Sequence, residues 1–370
     1  MAVIVVVHFS HGCEKMRQLV KINKINKLIK HPNADRLQIA SVGLWEVITS
    51  VGQFEELDDA LYCEIDSLLP LDDPRFAFLI GRNQYNIDGK EYSRLKTMRL
   101  RKALSQGLLL PIKEFQKEVD EFLSPDNTRS LQEIIGIIKY DPPEYTPNGP
   151  NASRSGPGKP FPYFVPKTDQ ERIQNITEEY KDAALSEELF EITYKLDGSS
   201  ITMYVKDNTL GVCSRNFEFN IPFDYTEWPN IENHFVKAAL AEGVLFKLIL
   251  AHSRLKHNFA LQGELVGPGI QSNFEGLNKH EIYIYDIYDI DNKRYMTPHG
   301  RRALLDDLDI KQVPVFKYGV LDKDIHKTLE MADGPSGLNG KFREGLVFKS
   351  LFRDFSFKCI SNAYLEKTDR

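Results

Sequence analysis

The pattern of apolar and polar positions divides the chain into two regions of different character. In the first region, short alternating stretches are separated by turn signals. LQIASVGLWEVIT (residues 37–49) alternates about Gly43 and predicts a hairpin, while HPNAD (residues 31–35) predicts a turn. ALYCEIDSLLP and SQGLLLPI supply further strands, and the opening MAVIVVVHFSHGCEKM is interpreted as a first strand because no basic segment precedes its apolar run. Several short strands of this kind predict a small β-barrel.

The second region mixes helical and strand patterns. HFVKAALAEGVLFKLILAHSRLK (residues 234–256) has apolar residues at helical spacing, and ERIQNITEEYKDAALSEELF contains helix-forming segments. The predicted strands are EITYKLDGSSITMYV, NTLGVCSRN, FALQGELVG, EIYIYDIYDID, EGLVFKS and FSFKCIS. Because these elements interleave without a regular βαβ rhythm, we expect antiparallel sheets of the α+β class.

A stretch dense in proline and glycine separates the two regions. DPPEYTPNGPNASRSGPGKPFPYF (residues 141–164) keeps no periodic apolar pattern and predicts a linker. The predicted organisation is therefore a β-barrel domain over residues 1–140, a linker over 141–164 and a second domain over 165–370.

Composition narrows the class of protein. The chain has 370 residues, of which 42% are hydrophobic and 27% charged, as in an ordinary globular protein. It has no uninterrupted apolar span of about 18 residues, so we expect no membrane helix. The four cysteines form no CxxC pair, which argues against a zinc site or disulfide framework and favours a reducing, intracellular compartment. The net charge of −6 excludes a uniformly basic surface but not the local run RLKTMRLRK, residues 94–102.

The break in EITYKLDGSSITMYV carries the first candidate chemistry. A lysine before an Asp-Gly turn is usually solvated, but KLDGSS around Lys195 resembles the first motif of the covalent nucleotidyltransferases, the superfamily of RNA ligases, DNA ligases and mRNA capping enzymes. Motifs similar to the others of that superfamily follow in its order. They are SRN (214–216), LQGELVGPGIQ (261–271), IYIYDIYDID, EGLVFK (344–349) and FSFKCIS.

Within the superfamily, the resemblance is closest to the ATP-dependent RNA ligases. GELVGPGIQ and KTDQERIQN (167–175) are similar to RNA ligase segments, and HPNADRLQIASVGLWEVI with the basic run resembles the N-terminal OB module of a nick-sealing branch. The resemblance covers nearly the whole chain. It implies an OB-type β-barrel followed by an adenylyltransferase domain of antiparallel sheets with flanking helices.

The resemblance implies a catalytic nucleophile and a set of phosphate ligands. Lys195 would attack the α-phosphate of ATP, and Lys349 and Lys358 would grip that phosphate. Arg172 and Arg215 would bind phosphates or the nucleic-acid end. A lysine amine is protonated at neutral pH and cannot attack, so we expect desolvation and nearby positive charge to favour its neutral form.

Further positions would hold the metal and the nucleoside. Asp197 and Glu344 would bind Mg²⁺ or Mn²⁺ directly or through water, because hard cations prefer oxygen ligands. Glu264 would accept from a ribose hydroxyl, Tyr285 would stack on adenine, and Gly198 would let the turn approach the nucleotide.

Two positions depart from the family pattern. Many relatives carry an acid before the nucleophile, where it can contact adenine, but this chain has Tyr194. The fifth motif often has two lysines separated by one residue, but here Ser356 takes the earlier position and leaves Lys358 more of the phosphate work.

The basic run is predicted to bind the backbone of a nucleic acid. Arg94, Lys96, Arg99 and Arg101 would contact phosphates without reading sequence. Alternation along a single strand would place Arg99 and Arg101 on one face and Lys102 on the other. A solvated strand face is the competing interpretation.

The sequence therefore predicts an RNA ligase that uses ATP and Mg²⁺ or Mn²⁺. Its partner would be RNA, as a nicked duplex or an RNA/DNA hybrid, and the protein would act as a monomer without a membrane. A DNA ligase, a GTP-using capping-type enzyme and an inactive RNA-binding relative are the alternatives. A tRNA-binding module could explain the first domain but not the second.

Overall fold

The computed structural model describes residues 17–140, 159–221, 225–339 and 342–368. The predicted opening strand and all but the end of the predicted linker lie outside these residues. The domain boundaries at residues 140 and 165 stay a prediction. No helix in the described part of the chain is long and apolar enough to span a bilayer.

The first region is built from short antiparallel strands. Its strands are β1 (Val20–Lys24), β2 (Lys27–Lys30), β3 (Leu37–Val42), β4 (Trp45–Ser50), β5 (Asp59–Cys63), β6 (Ser67–Pro70), β7 (Gln84–Ile87), β8 (Lys90–Arg94), β9 (Thr97–Leu100), β10 (Ala103–Gln106), β11 (Leu108–Pro111) and β12 (Ile138–Lys139). They pair in the orders β1-β5-β11, β2-β3-β4, β10-β9 and β12-β6-β8-β7. The helices are α1 (Gln116–Phe122) and α2 (Leu131–Ile135), with 3₁₀ turns at Pro74–Leu79 and Ile112–Phe115.

Local sequence explains these elements. The predicted hairpin is confirmed as β3 and β4, which meet at Gly43 with φ 58°. α2 begins at a capping box, in which Ser130 and Glu133 satisfy each other's backbone N–H groups, and it ends at Gly136 with φ 83°. Alternate residues of β4 are buried, including Trp45 and Val47, as the alternation predicts.

The second region contains two sheets flanked by helices. Its strands are β13 (Lys159–Pro160), β14 (Glu171–Arg172), β15 (Leu189–Lys195), β16 (Ser199–Lys206), β17 (Thr209–Cys213), β18 (Phe217–Phe219), β19 (Phe259–Val266), β20 (Glu281–Asp289), β21 (Arg294–Tyr295), β22 (Val315–Val320), β23 (Gly345–Ser350) and β24 (Ser356–Ile360). Its helices are α3 (Thr177–Leu185), α4 (His234–Ala241), α5 (Val244–Leu255), α6 (Pro298–Asp307), α7 (Ile325–Met331) and α8 (Asn362–Thr368), with 3₁₀ turns at Ile173–Asn175 and Tyr225–Asn230.

The two sheets have the orders β13-β18-β17-β16-β19-β20-β21 and β14-β24-β23-β15-β22. All their strand pairs are antiparallel except β14 with β24, which is parallel. The predicted strands are therefore confirmed. The long helical run is divided into α4 and α5, because Gly243 adopts the left-handed conformation with φ 67°.

Apolar side chains pack on the sheets and between the regions. α4, α5 and α6 cover the seven-stranded sheet, and α3 and α7 cover the five-stranded sheet. Ile360 and Leu365, just before and within α8, join the core of the first region beside Trp45 and Tyr62. The final helix therefore fastens the second region to the barrel.

Candidate active site

The segment around Lys195 connects the two sheets. β15 pairs with β22 and β23, whereas β16 pairs with β17 and β19. Asp197-Gly198 is therefore a crossover between sheets and not the turn of a hairpin. A Cβ on Gly198 would lie 2.4 Å from the Leu265 carbonyl oxygen and 2.9 Å from Cγ of Glu264. The missing side chain of Gly198 leaves room for β19, and the predicted approach of this turn to the nucleotide stays a prediction.

Carboxylates surround the Lys195 amine. Because Lys195 pairs with Gly345 across β15 and β23, Glu344 lies at its side, and Nζ donates to Glu344 Oε1 at 2.6 Å. Burial disfavours the charged amine, but Glu344, Glu264 and Asp197 outweigh it and raise the pKa of Lys195. The neutral amine expected for the reaction stays a prediction, because that expectation includes the positive charge of a bound metal ion.

The acids in turn perturb each other. Burial, then repulsion by Glu344, raises the pKa of Asp197 to about 7. Burial also raises the pKa of Glu264 to about 8, with Glu344 and Asp197 adding to it against the attraction of Lys195. Three acids crowded in this way, with Glu344 buried and Asp197 and Glu264 half-buried, gain most from a divalent cation, so the residues fit the predicted Mg²⁺ or Mn²⁺.

Two residues that the sequence did not single out hold Asp197 in place. Its carboxylate hydrogen-bonds with the side chain of Tyr364 in α8. Its backbone N–H donates to Glu275, a carboxylate that is 1% exposed and also accepts from Ser336 Oγ at 2.6 Å. Asp197 is thus oriented both from α8 and from the segment between β19 and β20.

Aromatic side chains form another part of the wall. Tyr285 lines the cleft, and its hydroxyl lies 2.9 Å from Thr168 Oγ1. Lys349 Nζ lies 5.5 Å from the Tyr285 ring and donates to the Tyr285 carbonyl oxygen at 2.9 Å, while it also pairs with Asp286. Burial lowers the pKa of Lys349 although Asp286 opposes the shift. Lys349 therefore already has anionic and carbonyl partners in place of the predicted phosphate.

Tyr194 contributes a second aromatic ring to the cleft. It packs edge-on against Phe316 at 5.6 Å between centroids, and the Arg343 guanidinium lies 5.3 Å from its ring. A Cβ on Gly337 would lie 2.6 Å from the Tyr194 ring. The position that is acidic in many relatives is thus occupied here by a packed aromatic residue.

A basic cluster converges on one carboxylate. Lys358 Nζ donates to Asp169 Oδ1 at 2.9 Å, Arg215 lies 3.6 Å from Asp169 Oδ2, and Lys139 pairs with the same oxygen. Burial opposes ionisation, but Lys358 and Lys139 hold the pKa of Asp169 well below its usual range. Burial, assisted by Arg172 and Lys195, lowers the pKa of Lys358 to about 8.

Arg172 takes part in a buried network between the two regions. The parallel pairing of β14 with β24 sets Arg172 beside Lys358. Arg172 is 6% exposed, with Asp66 at 3.2 Å and Glu64 at 3.7 Å. It lines the cleft as predicted. Its observed partners are carboxylates of the barrel, so it also ties the two regions together.

The basic run does not form the single strand face that was expected. Arg94 ends β8 and turns into the cleft, 2.7 Å from Asp66 and 3.9 Å from the Tyr140 ring. Arg99 lies on β9 and pairs with Glu366 of α8. Arg101 and Lys102 form the exposed turn between β9 and β10 with φ 46° and 76°, so strand alternation ends before them. Lys96 lies between β8 and β9, half-buried.

One cleft of about 490 Å³ is lined by all the residues that were predicted to act in catalysis, nucleotide binding or metal binding. They are Tyr194, Lys195, Asp197, Gly198, Arg172, Arg215, Glu264, Tyr285, Glu344, Lys349 and Lys358. Of the predicted nucleic-acid ligands, Arg94 lines this cleft too. Sequence reasoning missed Lys139, Asp169 and Tyr364. Asp169 stands within KTDQERIQN, which already carried a family signal, whereas Lys139 and Tyr364 stand in no motif.

An OB-type barrel joined to a two-sheet domain, with a half-buried lysine among carboxylates and cations at the junction of the sheets, defines a class of nucleotide-transferring ligases. A family model described as RNA ligase matches residues 188–360, and another described as an OB-fold domain matches residues 19–112. The chain belongs to the RNA ligase family. The predicted family and fold class are confirmed.

Among solved structures, the chain is similar to Naegleria gruberi RNA ligase. A lysine-to-alanine mutant of that ligase with ATP and Mn is 37% identical, with a TM-score of 0.82 over 95% of this chain and 100% of that chain. A second mutant with AMP and Mn and the ligase with PPi are each 37% identical, with TM-scores of 0.81 over 96% of this chain and 100% of theirs. No curated protein matches the chain in sequence.

Proposed function

We propose that this protein is an ATP-dependent RNA ligase that joins 3′-OH and 5′-phosphate ends through lysyl-AMP and RNA-adenylate intermediates. The observation that carries the proposal is the arrangement around Lys195, whose Nζ lies 2.6 Å from Glu344 in a cleft that also holds Glu264, Lys358 and Arg215. ATP and a divalent metal are supported by the similarity to Naegleria gruberi RNA ligase, solved with ATP and Mn.

The first step is adenylylation of Lys195. The amine must lose a proton before it can attack, and Glu344, which already accepts its hydrogen bond, is the nearest acceptor. Nζ then forms a bond to the α-phosphorus, the bond from that phosphorus to the bridging oxygen breaks, and pyrophosphate leaves. Lys358 and Arg215 offer positive charge where the departing phosphates accumulate negative charge.

Asp197 and Glu344 would hold the divalent cation, directly or through water. When bound, the cation supplies positive charge that offsets the acids which now raise the pKa of Lys195. Glu264 receives the backbone hydrogen bond of Gly198 and is placed to meet the ribose. Tyr285 offers its ring to adenine, and Tyr194 lines the same cleft.

The remaining steps transfer AMP and join the ends. A 5′-phosphate oxygen attacks the α-phosphorus, the bond from Nζ breaks, and Lys195 recovers a proton. The 3′-hydroxyl oxygen then attacks the activated 5′-phosphate, AMP leaves, and the hydroxyl proton is lost. Arg172 and Lys349 contribute charge to the wall on which these phosphates would lie.

The acceptor is proposed to be a nick in duplex RNA or in an RNA/DNA hybrid, bound by one monomer. Arg94, Lys96, Arg99 and Arg101 supply cations on the barrel beside the cleft, and cationic contacts with phosphates position a duplex whatever its sequence. Arg99 on this surface pairs with Glu366 of α8, the helix whose Leu365 packs on the barrel.

The decisive experiment is incubation with α-labelled ATP and Mg²⁺ or Mn²⁺, followed by a denaturing gel. Wild-type protein should retain label, and Lys195→Ala should retain none. Lys181→Ala, which removes an exposed lysine of α3, is the matched control and should label normally. Labelling of Lys195→Ala at the wild-type level would show that another residue is the nucleophile, and no labelling of wild-type protein would indicate an inactive relative.

The acceptor is tested by sealing. Nicked duplex RNA, nicked RNA/DNA hybrids, nicked DNA and single-stranded RNA are compared, each with 3′-OH and 5′-phosphate ends. We expect faster sealing of nicks whose 3′-OH strand is RNA. Equal sealing of single strands would contradict the proposed preference for duplexes.

A further inference from the structure

Asp169 occupies the centre of a cation cluster that the proposed reaction needs for phosphates. Lys358 donates to Oδ1 at 2.9 Å, and Lys139 and Arg215 both approach Oδ2. Three cations therefore share one carboxylate. This arrangement leaves an excess of positive charge, and carboxylate and phosphate oxygens are bound by these side chains in similar geometry.

The surroundings allow the carboxylate to leave. Asp169 lies in the irregular segment before β14, and its side chain is 33% exposed, whereas that of Lys358 is 14% exposed. The three cations come from separate places, Lys139 from β12, Arg215 from the β17–β18 connection and Lys358 from β24. The positions of the three cations are thus determined by the fold, whereas the position of the Asp169 carboxylate is determined mainly by the cations.

We propose that Asp169 stands in for a phosphate group and must be displaced from Lys139, Arg215 and Lys358 when a phosphate ligand enters the cleft. The inference rests on the proposed function and adds that the phosphate subsite carries an internal competitor. Before binding, the carboxylate keeps three like charges together, and its departure makes each of them available to the ligand. The phosphate belongs either to the nucleotide or to the RNA 5′ end.

The test is Asp169→Asn, which keeps the shape of the side chain and removes its charge. Binding of inorganic pyrophosphate is measured by calorimetry without divalent metal, with all variants at the same acidic pH, because loss of Asp169 lowers the pKa of Lys358 further. Loss of the competitor should tighten binding about tenfold, equivalent to about 1.4 kcal/mol. The control is Asp59→Asn, which removes the charge of a barrel carboxylate that pairs with Lys24. It should leave pyrophosphate binding unchanged.

A second arm identifies the source of the phosphate. Binding of a nicked duplex with a 5′-phosphate is compared with that of the same duplex with a 5′-hydroxyl. Tighter pyrophosphate binding by Asp169→Asn assigns the subsite to the nucleotide, and a larger preference for the 5′-phosphate assigns it to RNA. If neither changes, or if both weaken, Asp169 is not a competitor and the inference is overturned.

Lys139→Met supplies an independent check. Removal of one cation should weaken pyrophosphate binding about fivefold in the wild-type background, and it should cancel part of the gain in the Asp169→Asn background. If Lys139→Met alters neither pyrophosphate binding nor the preference for the 5′-phosphate duplex in either background, the inference is also overturned. These binding measurements need no ligation. Failure of lysyl-AMP formation would refute the proposed function, and it is measured in a separate experiment.

Discussion

Gly198→Ala should damage the site through packing alone. The new Cβ would lie 2.4 Å from the Leu265 carbonyl oxygen, 2.7 Å from Val266 Cγ1 and 2.9 Å from Glu264 Cγ. To reach ordinary van der Waals separation, the closest of these contacts must open by about 1 Å. Because the obstructing atom belongs to the backbone of β19, the strand itself has to move, and Glu264 moves with it.

Overpacking of this kind typically costs about 1–3 kcal/mol of unfolding free energy. The effect on catalysis should be larger, because a displacement of about 1 Å in an active site can cost about 100-fold in rate. We therefore expect a modest fall in the melting temperature and a large fall in the rate of lysyl-AMP formation. Thermal unfolding and the initial rate of label transfer from α-labelled ATP measure the two quantities.

Gly319→Ala is the matched control. Gly319 lies in β22, where a Cβ meets no described heavy atom within 4 Å and φ is not left-handed. Alanine should be neutral or slightly stabilising there, since glycine weakens a strand. Wild-type adenylylation by Gly198→Ala, or an equal loss in both variants, would refute the packing argument.

Arg172→Met should lower the unfolding free energy by about 1–3 kcal/mol, because Asp66 loses one charged partner but keeps Arg94, and its effect should be less than additive with Asp66→Asn; wild-type unfolding would contradict this. Alanine at Arg99 and Arg101 should flatten the slope of log affinity against log salt for a nicked duplex by up to about two, and an unchanged slope would favour a solvated surface. A thiol reagent should modify at most one cysteine of the native protein, since three thiols are buried, with pKa values raised by burial: Cys63, Cys213 and Cys359.

The sequence was sufficient to predict many of the strands and the motif residues of the cleft, but not β22 or the cleft residues Lys139, Asp169 and Tyr364. Alternation located β15, β16, β19 and β20, and the motif order brought Lys195 and Glu344 into one site although they are far apart in the chain. Alternation cannot tell which strands become neighbours, because it reports only which side chains share a face. The division of β15 and β16 between two sheets was for that reason not foreseen.

The charges were harder to interpret than the strands. The contacts of Arg172 and Lys349 with phosphates stay a prediction, and their carboxylate partners in the structure come from distant segments that no local pattern connects. Arg101 and Lys102 adopt positive φ although such turns usually use asparagine, aspartate or glycine, so the sequence carried no turn signal. In each case the tertiary contact, which local propensity does not encode, decided the outcome.

The order of strands in the five-stranded sheet has a consequence for synthesis of the protein in the cell. β15 carries Lys195, but its neighbour β23 is made about 150 residues later, and β24 must follow before β14 is paired. A nascent chain therefore has the nucleophile long before it has Glu344 or Lys358. Chains whose synthesis ends before residue 344 lack both residues, so they should be unable to form lysyl-AMP. They should therefore not transfer AMP to RNA ends that they could not then seal.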